Sequence, residues 1–352
     1  MPALTPISLF HPTATTLKSQ HKKGIQGPSP FVDLIRSANK PQNIRQGIDA
    51  LIDSDTYRVV EGEQLFWYKI AGASGTFEGI LTAVTPKENT REISTHEAVL
   101  EERVRLFSDY LNQVKIQAEP VLLVHENTTA AMHLGQLIKK RPPANVFELG
   151  IEKHQLWQLN KKETTLAQAF AQQQAQFHLA DGHHRYASTL HYAKTHDIPA
   201  RLFSFLVAKD QLQNHAFRWA IKDPVLAKRC LNAMTLEHPA SPTETNIHFQ
   251  DQERSIHLQI NRDESVTHFI LHQLMGIKPN DSINLKEVID YYPPNSLPPN
   301  RIKDYAGIID YRPLLIDEII ELAKAEKQLP PKSTYILPKL PTGLFFTPLA
   351  KG

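Results

Sequence analysis

A strand that runs directly into a helix near the middle of the chain constrains the fold more than any other feature of this sequence. Residues 177–180 end an apolar run that is typical of a buried strand. Apolar residues then recur at helical spacing over residues 186–193. The turn between the two patterns reads Asp181-Gly182-His183-His184-Arg185. The sequence therefore predicts a strand-to-helix turn inside an α/β core.

The residues of this turn are of types that bind anions. The first N–H groups of a helix have no partner within the helix and carry partial positive charge, so a helix start attracts phosphate. Gly182 allows the backbone to approach a ligand, and Arg185 suits bidentate phosphate binding. His183 and His184 can donate hydrogen bonds or move protons, while Asp181 can cap the helix or hold Mg²⁺. The alternative is that Asp181 only caps the helix and the three basic side chains point into water.

Composition excludes several classes of protein. With 352 residues, of which 41% are hydrophobic and 22% charged, the chain can bury one large core or two ordinary ones and is not a disordered protein. Lys and Arg number 39 and Asp and Glu 37, so no basic field indicates nucleic acid or an anionic membrane as a partner. The single cysteine, Cys230, cannot form an internal disulfide, and we expect it to be a small buried side chain on a helix.

The absence of long apolar runs bears on localisation. No apolar run approaches the roughly 20 residues that span a bilayer, and residues 1–23 lack an apolar core of signal-peptide length. Together with the single cysteine, these observations lead us to expect a cytoplasmic protein without membrane contact.

Periodicity along the chain predicts alternating strands and helices. We expect a hairpin over residues 64–70 and 77–84, a helix over 98–114 and a strand over 120–124. The later predicted elements are a helix over 165–176, strands over 201–208 and 255–260, and helices over 266–275 and 315–327. Residues 237–245 lose this periodicity, which predicts a domain boundary or a long surface loop.

A second candidate for chemistry is Glu97, in the sequence Thr95-His96-Glu97 just before the predicted helix over 98–114. A carboxylate at such a place can act as a general base or a metal ligand. The alternative is common: an acidic side chain near a helix start often does no more than complement the helix dipole.

The proline-rich tail is a third candidate. Four prolines prevent residues 330–341 from forming a long helix, because each removes a backbone donor. The same segment carries Lys332, Ser333, Thr334 and Lys339. A stiff loop with two ammonium groups and two hydroxyls can close over a phosphate at small entropic cost. A plain surface tail is the alternative interpretation.

Two runs of the sequence resemble a known family. The run LADGHHRYAS and the run PPKSTYILPKLPTGL are similar to the blocks ADGHHRY and MPPKSTYFxPKLxSGL of the bacterial family called domain of unknown function 1015. The similarity extends from about Pro28 to Leu349, which is nearly the whole chain. That family in turn resembles the ParB and sulfiredoxin superfamily, which includes kinases that act on free serine.

The resemblance implies a fold and a domain organisation. The fold class is α/β (α+β), with a ParB/sulfiredoxin-like mixed-sheet core and a smaller C-terminal α+β part. The implied limits are an N-terminal arm over 1–27, the core with the motif over 28–236, and the C-terminal part over 246–352. The tail loop of the last part is expected to return to the site.

The resemblance also implies a function: nucleotide-dependent phosphoryl transfer to a small hydroxylated metabolite, with free L-serine as the first candidate. The expected cofactors are Mg²⁺ and a nucleoside di- or triphosphate, most simply ATP or ADP. In this interpretation Glu97 is the base, Asp181 holds Mg²⁺ or the turn, and His183 and His184 take part in catalysis. The expected nucleotide-binding residues are Asp181, Gly182, His183, His184, Arg185, Arg218, Lys332, Ser333 and Lys339.

The region of Glu97 departs from the family pattern. His96, Glu97 and Arg103 match that pattern, whereas the Thr and the Lys that relatives carry between them are missing. A catalytically impaired, nucleotide-gated binding or regulatory protein is therefore the alternative function. A nucleic-acid partner, as in ParB, is a third possibility that the near-neutral charge disfavours.

Overall fold

The computed structural model describes residues 3–13, 30–37, 41–87, 90–236, 247–251, 254–259, 265–278 and 285–349. The chain forms two compact units. The first comprises Met1–Leu212, Ala323–Glu326 and Leu337–Gly352, and the second comprises Gln213–Leu322 and Lys327–Ile336. The boundary predicted over 237–245 lies outside the described residues, so the domain limits derived from the sequence stay a prediction.

The first unit contains both helices and strands in its described part. Its strands are β1 (Ala3–Thr5), β2 (Phe10–Pro12), β3 (Tyr57–Val59), β4 (Phe66–Gly72), β5 (Gly75–Thr85), β6 (Ile93–Ser94), β7 (Ile116–Gln117), β8 (Val121–His125), β9 (Asn145–Leu149), β10 (Glu152–Gln158), β11 (Phe177–Asp181) and β12 (Leu202–Ala208), with β20 (Thr347–Pro348) near the end of the chain. Its helices are α1 (Pro30–Ser37), α2 (Pro41–Asp53), α3 (Glu101–Val114), α4 (Thr128–Ile138), α5 (Lys161–Gln172) and α6 (His183–Thr195).

A mixed sheet organises this unit. Among the described residues, nine strands form it in the order β6-β11-β8-β12-β5-β4-β10-β9, and β1 pairs with β5. β11 runs parallel to β6 and antiparallel to β8, and β12 runs parallel to β8. All seven residues of β12 are buried, in agreement with a sequence that is apolar except for Ser204. The predicted mixed α/β core is therefore confirmed.

The motif strand β11 lies inside this sheet, with a neighbour on each side. Its first four residues are buried, and only Asp181 at its end is partly exposed. Helix α6 follows after one residue. The sheet thus fixes the position of the turn that the sequence singled out.

The end of the C-terminal tail, from Leu337 onwards, belongs to the first unit. Gly343 donates its N–H to the carbonyl of Ala118 at 2.7 Å, and β20 pairs with β7. The Phe346 ring is buried and stacks on the Phe10 ring at 4.9 Å between centroids. The tail is therefore part of the core of this unit.

The second unit has a sheet of its own. Its strands are β13 (Gln213–His215), β14 (Arg218–Ile221), β15 (Ile247–Gln250), β16 (Ser255–Leu258), β17 (Ile289–Tyr292), β18 (Gly307–Tyr311) and β19 (Tyr335–Leu337), and its helices are α7 (Pro224–Leu236), α8 (Val266–Phe269), α9 (Leu285–Val288) and α10 (Ile316–Lys324), of which β19 and α10 extend into the first unit. Five described strands pair in the order β16-β15-β18-β14-β17. Cys230 is completely buried on α7, as predicted, and burial raises the pKa of its thiol to about 12.

Two predictions of local structure need correction. The helix predicted from residue 98 begins at Glu101, and the apolar residues Leu100 and Phe107 are 54% and 40% exposed. The helix predicted over 266–275 is interrupted, because α8 passes into a turn of π-helix at Ile270–Leu274.

No helix within the described ranges is long and apolar enough to cross a membrane.

Candidate functional site

The turn after β11 requires glycine. Gly182 has φ 96° and ψ 29°, a left-handed conformation that strains other residues. A Cβ atom at this position would lie 2.9 Å from Cγ1 of Val121, which is buried on β8. Gly182 is also the N-cap residue of α6 and has no side chain with which to cap the helix. The N-cap position expected for Asp181 is therefore taken by Gly182, because the chain turns one residue later.

The Asp181 carboxylate forms ion pairs with two cationic side chains. Its Oδ2 accepts from Nη2 of Arg185 at 2.8 Å, and its Oδ1 accepts from Nζ of Lys339 at 2.7 Å. The side chains of Arg185, Asp181 and Lys339 are 30%, 33% and 37% exposed. The structure thus brings together the motif and the second lysine of the tail, while the phosphate-binding role expected of Lys339 stays a prediction.

Glu119 completes this network and was missed by the sequence analysis. Its Oε1 lies 2.8 Å from Nη1 of Arg185, which also donates to the carbonyl of Pro120. Thr342 of the tail donates its hydroxyl to Oε2 of Glu119. Two carboxylates and two cations therefore alternate around the turn. We find no sequence signal for Glu119, because an acidic residue before a strand has no distinctive pattern.

Two buried histidines meet behind the turn. The rings of His96 and His183 lie edge to face with centroids 4.5 Å apart. Burial lowers the pKa of His96 to about 4, and burial together with nearby positive groups holds the pKa of His183 well below its ordinary value. Both rings are therefore neutral at pH 7. Within the described part of the chain, Nε2 of His183 is buried and has no hydrogen-bond partner.

Glu97 lies at the same end of the sheet as Asp181. In the parallel pair of β6 and β11, Ser94 is the register partner of His178. Asp181 ends β11 three residues after this pair, and Glu97 follows the end of β6 by three residues, so both come after the paired strands in the same chain direction. Glu97 is half-buried and precedes α3 by four residues, so it is not in the first turn of that helix.

A chain of polar contacts beside the motif, called the relay below, was also missed. Nδ1 of His178 lies 2.7 Å from the hydroxyl of Ser94, and its Nε2 lies 3.2 Å from Oε1 of Glu126. The same carboxylate oxygen of Glu126 pairs with Lys324 at 3.0 Å. The relay ties the two strands that support Glu97 and Asp181. His178 was missed because the apolar residues around it indicated only a buried strand, with no partner for a polar side chain.

Arg218, Lys332 and Ser333 lie in the second unit. Arg218 forms a bidentate pair with Asp310, at 2.7 and 2.8 Å. Nζ of Lys332 lies over the ring of Phe217, 5.3 Å from its centroid. The buried hydroxyl of Ser333 bonds Pro330 and Thr267 within this unit. The local contacts of these three side chains are therefore those of structural residues.

The neighbours of Asp181 do not suit a metal ligand. Both of its carboxylate oxygens accept hydrogen bonds from cations. No group of three or more His, Cys, Asp or Glu side chains able to hold a metal ion occurs among the residues that the structure describes. The expectation of Mg²⁺ at Asp181 stays untested, and we assign no metal to this carboxylate.

Comparisons with solved structures find distant neighbours. SbnI with a C-terminal truncation from Staphylococcus aureus is 12% identical, with a TM-score of 0.47, over 76% of this chain and 87% of that one. A free serine kinase variant in complex with ADP is 14% identical, with a TM-score of 0.42, over 74% and 92%. A conserved hypothetical protein from Pyrococcus furiosus is 15% identical, with a TM-score of 0.39, over 71% and 90%.

Comparisons of sequence identify the family. No curated protein matches the chain significantly. The profile described as "Protein of unknown function (DUF1015)" matches residues 22–234, which is more than half of the sequence and includes the whole turn motif. The chain therefore belongs to the DUF1015 family.

Proposed function

We propose that this protein binds a nucleotide at the turn after β11 and transfers a phosphoryl group to a small hydroxylated metabolite, with free L-serine as the first candidate. The observation that carries the proposal is the convergence of Arg185 and Lys339 at the start of α6. The start of a helix, two cations and a glycine that leaves room for a ligand together favour phosphate binding.

The two cations of this site are already paired with Asp181, so phosphate has to compete with a carboxylate for them. In the structure the two cations share the carboxylate of Asp181, and all three side chains are reachable from solvent. A phosphate with two negative charges offers each cation a stronger acceptor than a carboxylate with one. Binding then moves Arg185 and Lys339 from Asp181 to the phosphate, so the cost of separating the Asp181 carboxylate from these two cations limits the affinity. Glu119 continues to hold Arg185 in place during the exchange.

The histidines have a different part in this proposal. Because its ring is neutral, His183 contributes no charge to phosphate binding. Its buried Nε2, for which the described residues offer no partner, supplies a hydrogen-bonding group to a bound ligand. His96 packs against this ring and fixes its orientation. We assign positive charge to Arg185 and Lys339, and hydrogen bonding to His183 and His184.

Glu97 is the proposed base. It accepts the proton of the acceptor hydroxyl while the hydroxyl oxygen bonds to the terminal phosphorus and the bond from phosphorus to the nucleotide oxygen breaks. Phosphoryl transfer depends mainly on positioning and on neutralising charge, so the base contributes one part of the rate. A magnesium ion that enters with the nucleotide would neutralise further phosphate charge, and the chain's own contribution is the pair of cations.

The site is tested first by nucleotide binding. We expect ADP and ATP with Mg²⁺ to raise the melting temperature, because a ligand of the folded state stabilises it by mass action. Lys339→Met removes one cation and should weaken ADP binding about 3- to 10-fold, a discounted value for a partly exposed charged hydrogen bond. Lys153→Met, at an exposed position on β10, is the matched control and should leave affinity unchanged. Equal ADP affinities for the two variants would show that Lys339 does not contribute to nucleotide binding.

A second experiment separates the enzyme from the alternative of a nucleotide-gated binding protein. Glu97→Gln removes the base and keeps the shape of the side chain. We expect it to abolish formation of a phosphorylated acceptor from Mg-ATP and L-serine, while ADP affinity stays within about twofold. If the unmodified protein binds nucleotide but phosphorylates no hydroxylated metabolite in a panel, the binding function stands and the transferase function fails.

A further inference from the structure

A cavity of about 570 Å³ lies in the first unit, at the opposite end of α6 from the turn. It is formed by α2, β7, the end of α6 and the tail. Its apolar walls come from residues that are mostly buried: Phe10, Ile48, Ile116, Tyr192, Phe346 and Leu349. A volume of this size is typical of small-molecule sites, which are largely apolar with a few polar groups.

The charged groups of this cavity are all positive. Arg45 and Lys115 line it, and no carboxylate is among the lining residues in the part of the chain that the structure describes. Nζ of Lys115 donates to Oδ1 of Asn112 at 2.7 Å and to the hydroxyl of Tyr192 at 3.2 Å. Arg45 pairs with Asp49 at 3.0 Å, but both side chains are about half exposed, so this pair competes weakly with a ligand. The cavity therefore combines an apolar floor with a cationic rim.

We propose that this cavity binds an amphipathic organic anion, of the class of a medium-chain carboxylate. The alkyl chain lies against the aromatic and aliphatic walls, where its burial is favourable. The carboxylate lies at the rim and accepts from Lys115 and Arg45. Tyr192, in the wall, follows His183 by nine residues on α6, which corresponds to about 14 Å along the helix axis. The cavity is thus a second site, separate from the phosphate site.

The proposal is tested by calorimetric titration of the full chain with three probes of equal length: octanoate, 1-octanol and octylamine. We expect octanoate to bind with a stoichiometry of one, 1-octanol to bind at least about 5-fold more weakly because it lacks the charge, and octylamine to give no binding, since it meets two cations. Octylamine affinity equal to that of octanoate, or no binding of octanoate, would overturn the proposal.

Variants locate the ligand within the molecule. Lys115→Met and Arg45→Met alter exposed side chains and should each weaken octanoate about 3- to 10-fold, whereas Lys140→Met, at an exposed lysine outside the cavity, should have no effect. Ile52→Trp fills the cavity from α2 and should abolish binding, with circular dichroism to check the fold. Octanoate affinity unchanged in both rim variants refutes the site even if the tryptophan variant is poorly folded. ADP binding is measured separately, so failure here leaves the proposed function untouched.

Discussion

Replacement of Gly182 by alanine tests the tightness of the turn that carries the site. The added methyl group meets two separate costs. The left-handed backbone at φ 96° strains any residue with a Cβ atom, and the new Cβ would lie 2.9 Å from Cγ1 of Val121 and 3.1 Å from Cζ of Arg185. Val121 is 1% exposed on a strand with neighbours on both sides, so it cannot move away cheaply.

The magnitude follows from these two costs. Left-handed strain contributes about 1–2 kcal/mol, and overpacking in a filled region contributes about 1–3 kcal/mol. We expect Gly182→Ala to lower the free energy of unfolding of the first unit by about 3 kcal/mol. Gly150 provides the matched control, because its φ is 61° and nothing lies within 4 Å of an added Cβ. Gly150→Ala should cost about 1 kcal/mol, the strain alone.

Urea unfolding followed by tryptophan fluorescence measures both variants. The chain has three tryptophans, of which Trp67 and Trp157 are in the first unit and Trp219 is in the second. A Trp219→Phe background therefore reports on the first unit, which matters because two units need not unfold in one transition. Equal losses in the two glycine variants would refute the packing argument, and a loss below about 0.5 kcal/mol at Gly182 would refute the backbone argument as well.

The remaining predictions concern pH and the tail. Burial lowers the pKa to about 4 in three histidines: His96, His125 and His154. Their pKa values are higher in the unfolded chain, so the unfolded chain binds protons first as the pH drops. The free energy of unfolding should therefore fall between about pH 6.5 and pH 4. Each contributes a loss of about 2 kcal/mol between pH 6.5 and 5, and His125→Gln should make the slope of stability against pH shallower by one proton in urea titrations. Tyr57→Phe removes the hydrogen bond from the buried phenol to the carbonyl of Gly343 and should lower the free energy of unfolding by about 1–2 kcal/mol in the same assay. This loss should be the same at each pH.

The turn motif could be predicted from the sequence because its causes are local. The apolar run of β11 and the helical spacing after it lie within a few residues of Gly182, and glycine is the residue type that a left-handed turn needs. Likewise, the strongly apolar β12 was placed almost to the residue. The start of α3 was placed three residues too early, because Leu100 is apolar and yet 54% exposed, which a pattern of residue types cannot reveal.

The partners of the site could not be predicted, because they depend on the order of strands in the sheet. Glu119 reaches Arg185 since β8 lies beside β11, although 66 positions separate the two residues in the sequence. The relay from Ser94 through His178 to Glu126 likewise needs β6 and β8 on either side of β11. No local pattern specifies which strands become neighbours.

The tail shows how a proximity can be expected from the sequence for an incomplete reason. Prolines and lysines suggested a loop that closes over a phosphate, and Lys339 does meet Asp181. The structure adds that the residues after Lys339 belong to the core, where Phe346 packs on Phe10 and Gly343 bonds Ala118. Deleting the tail would therefore unfold the first unit and say nothing about binding. Because this anchoring holds Lys339 in place before a ligand arrives, little ordering entropy is lost on binding, and substitution of that one side chain is the change that isolates its charge.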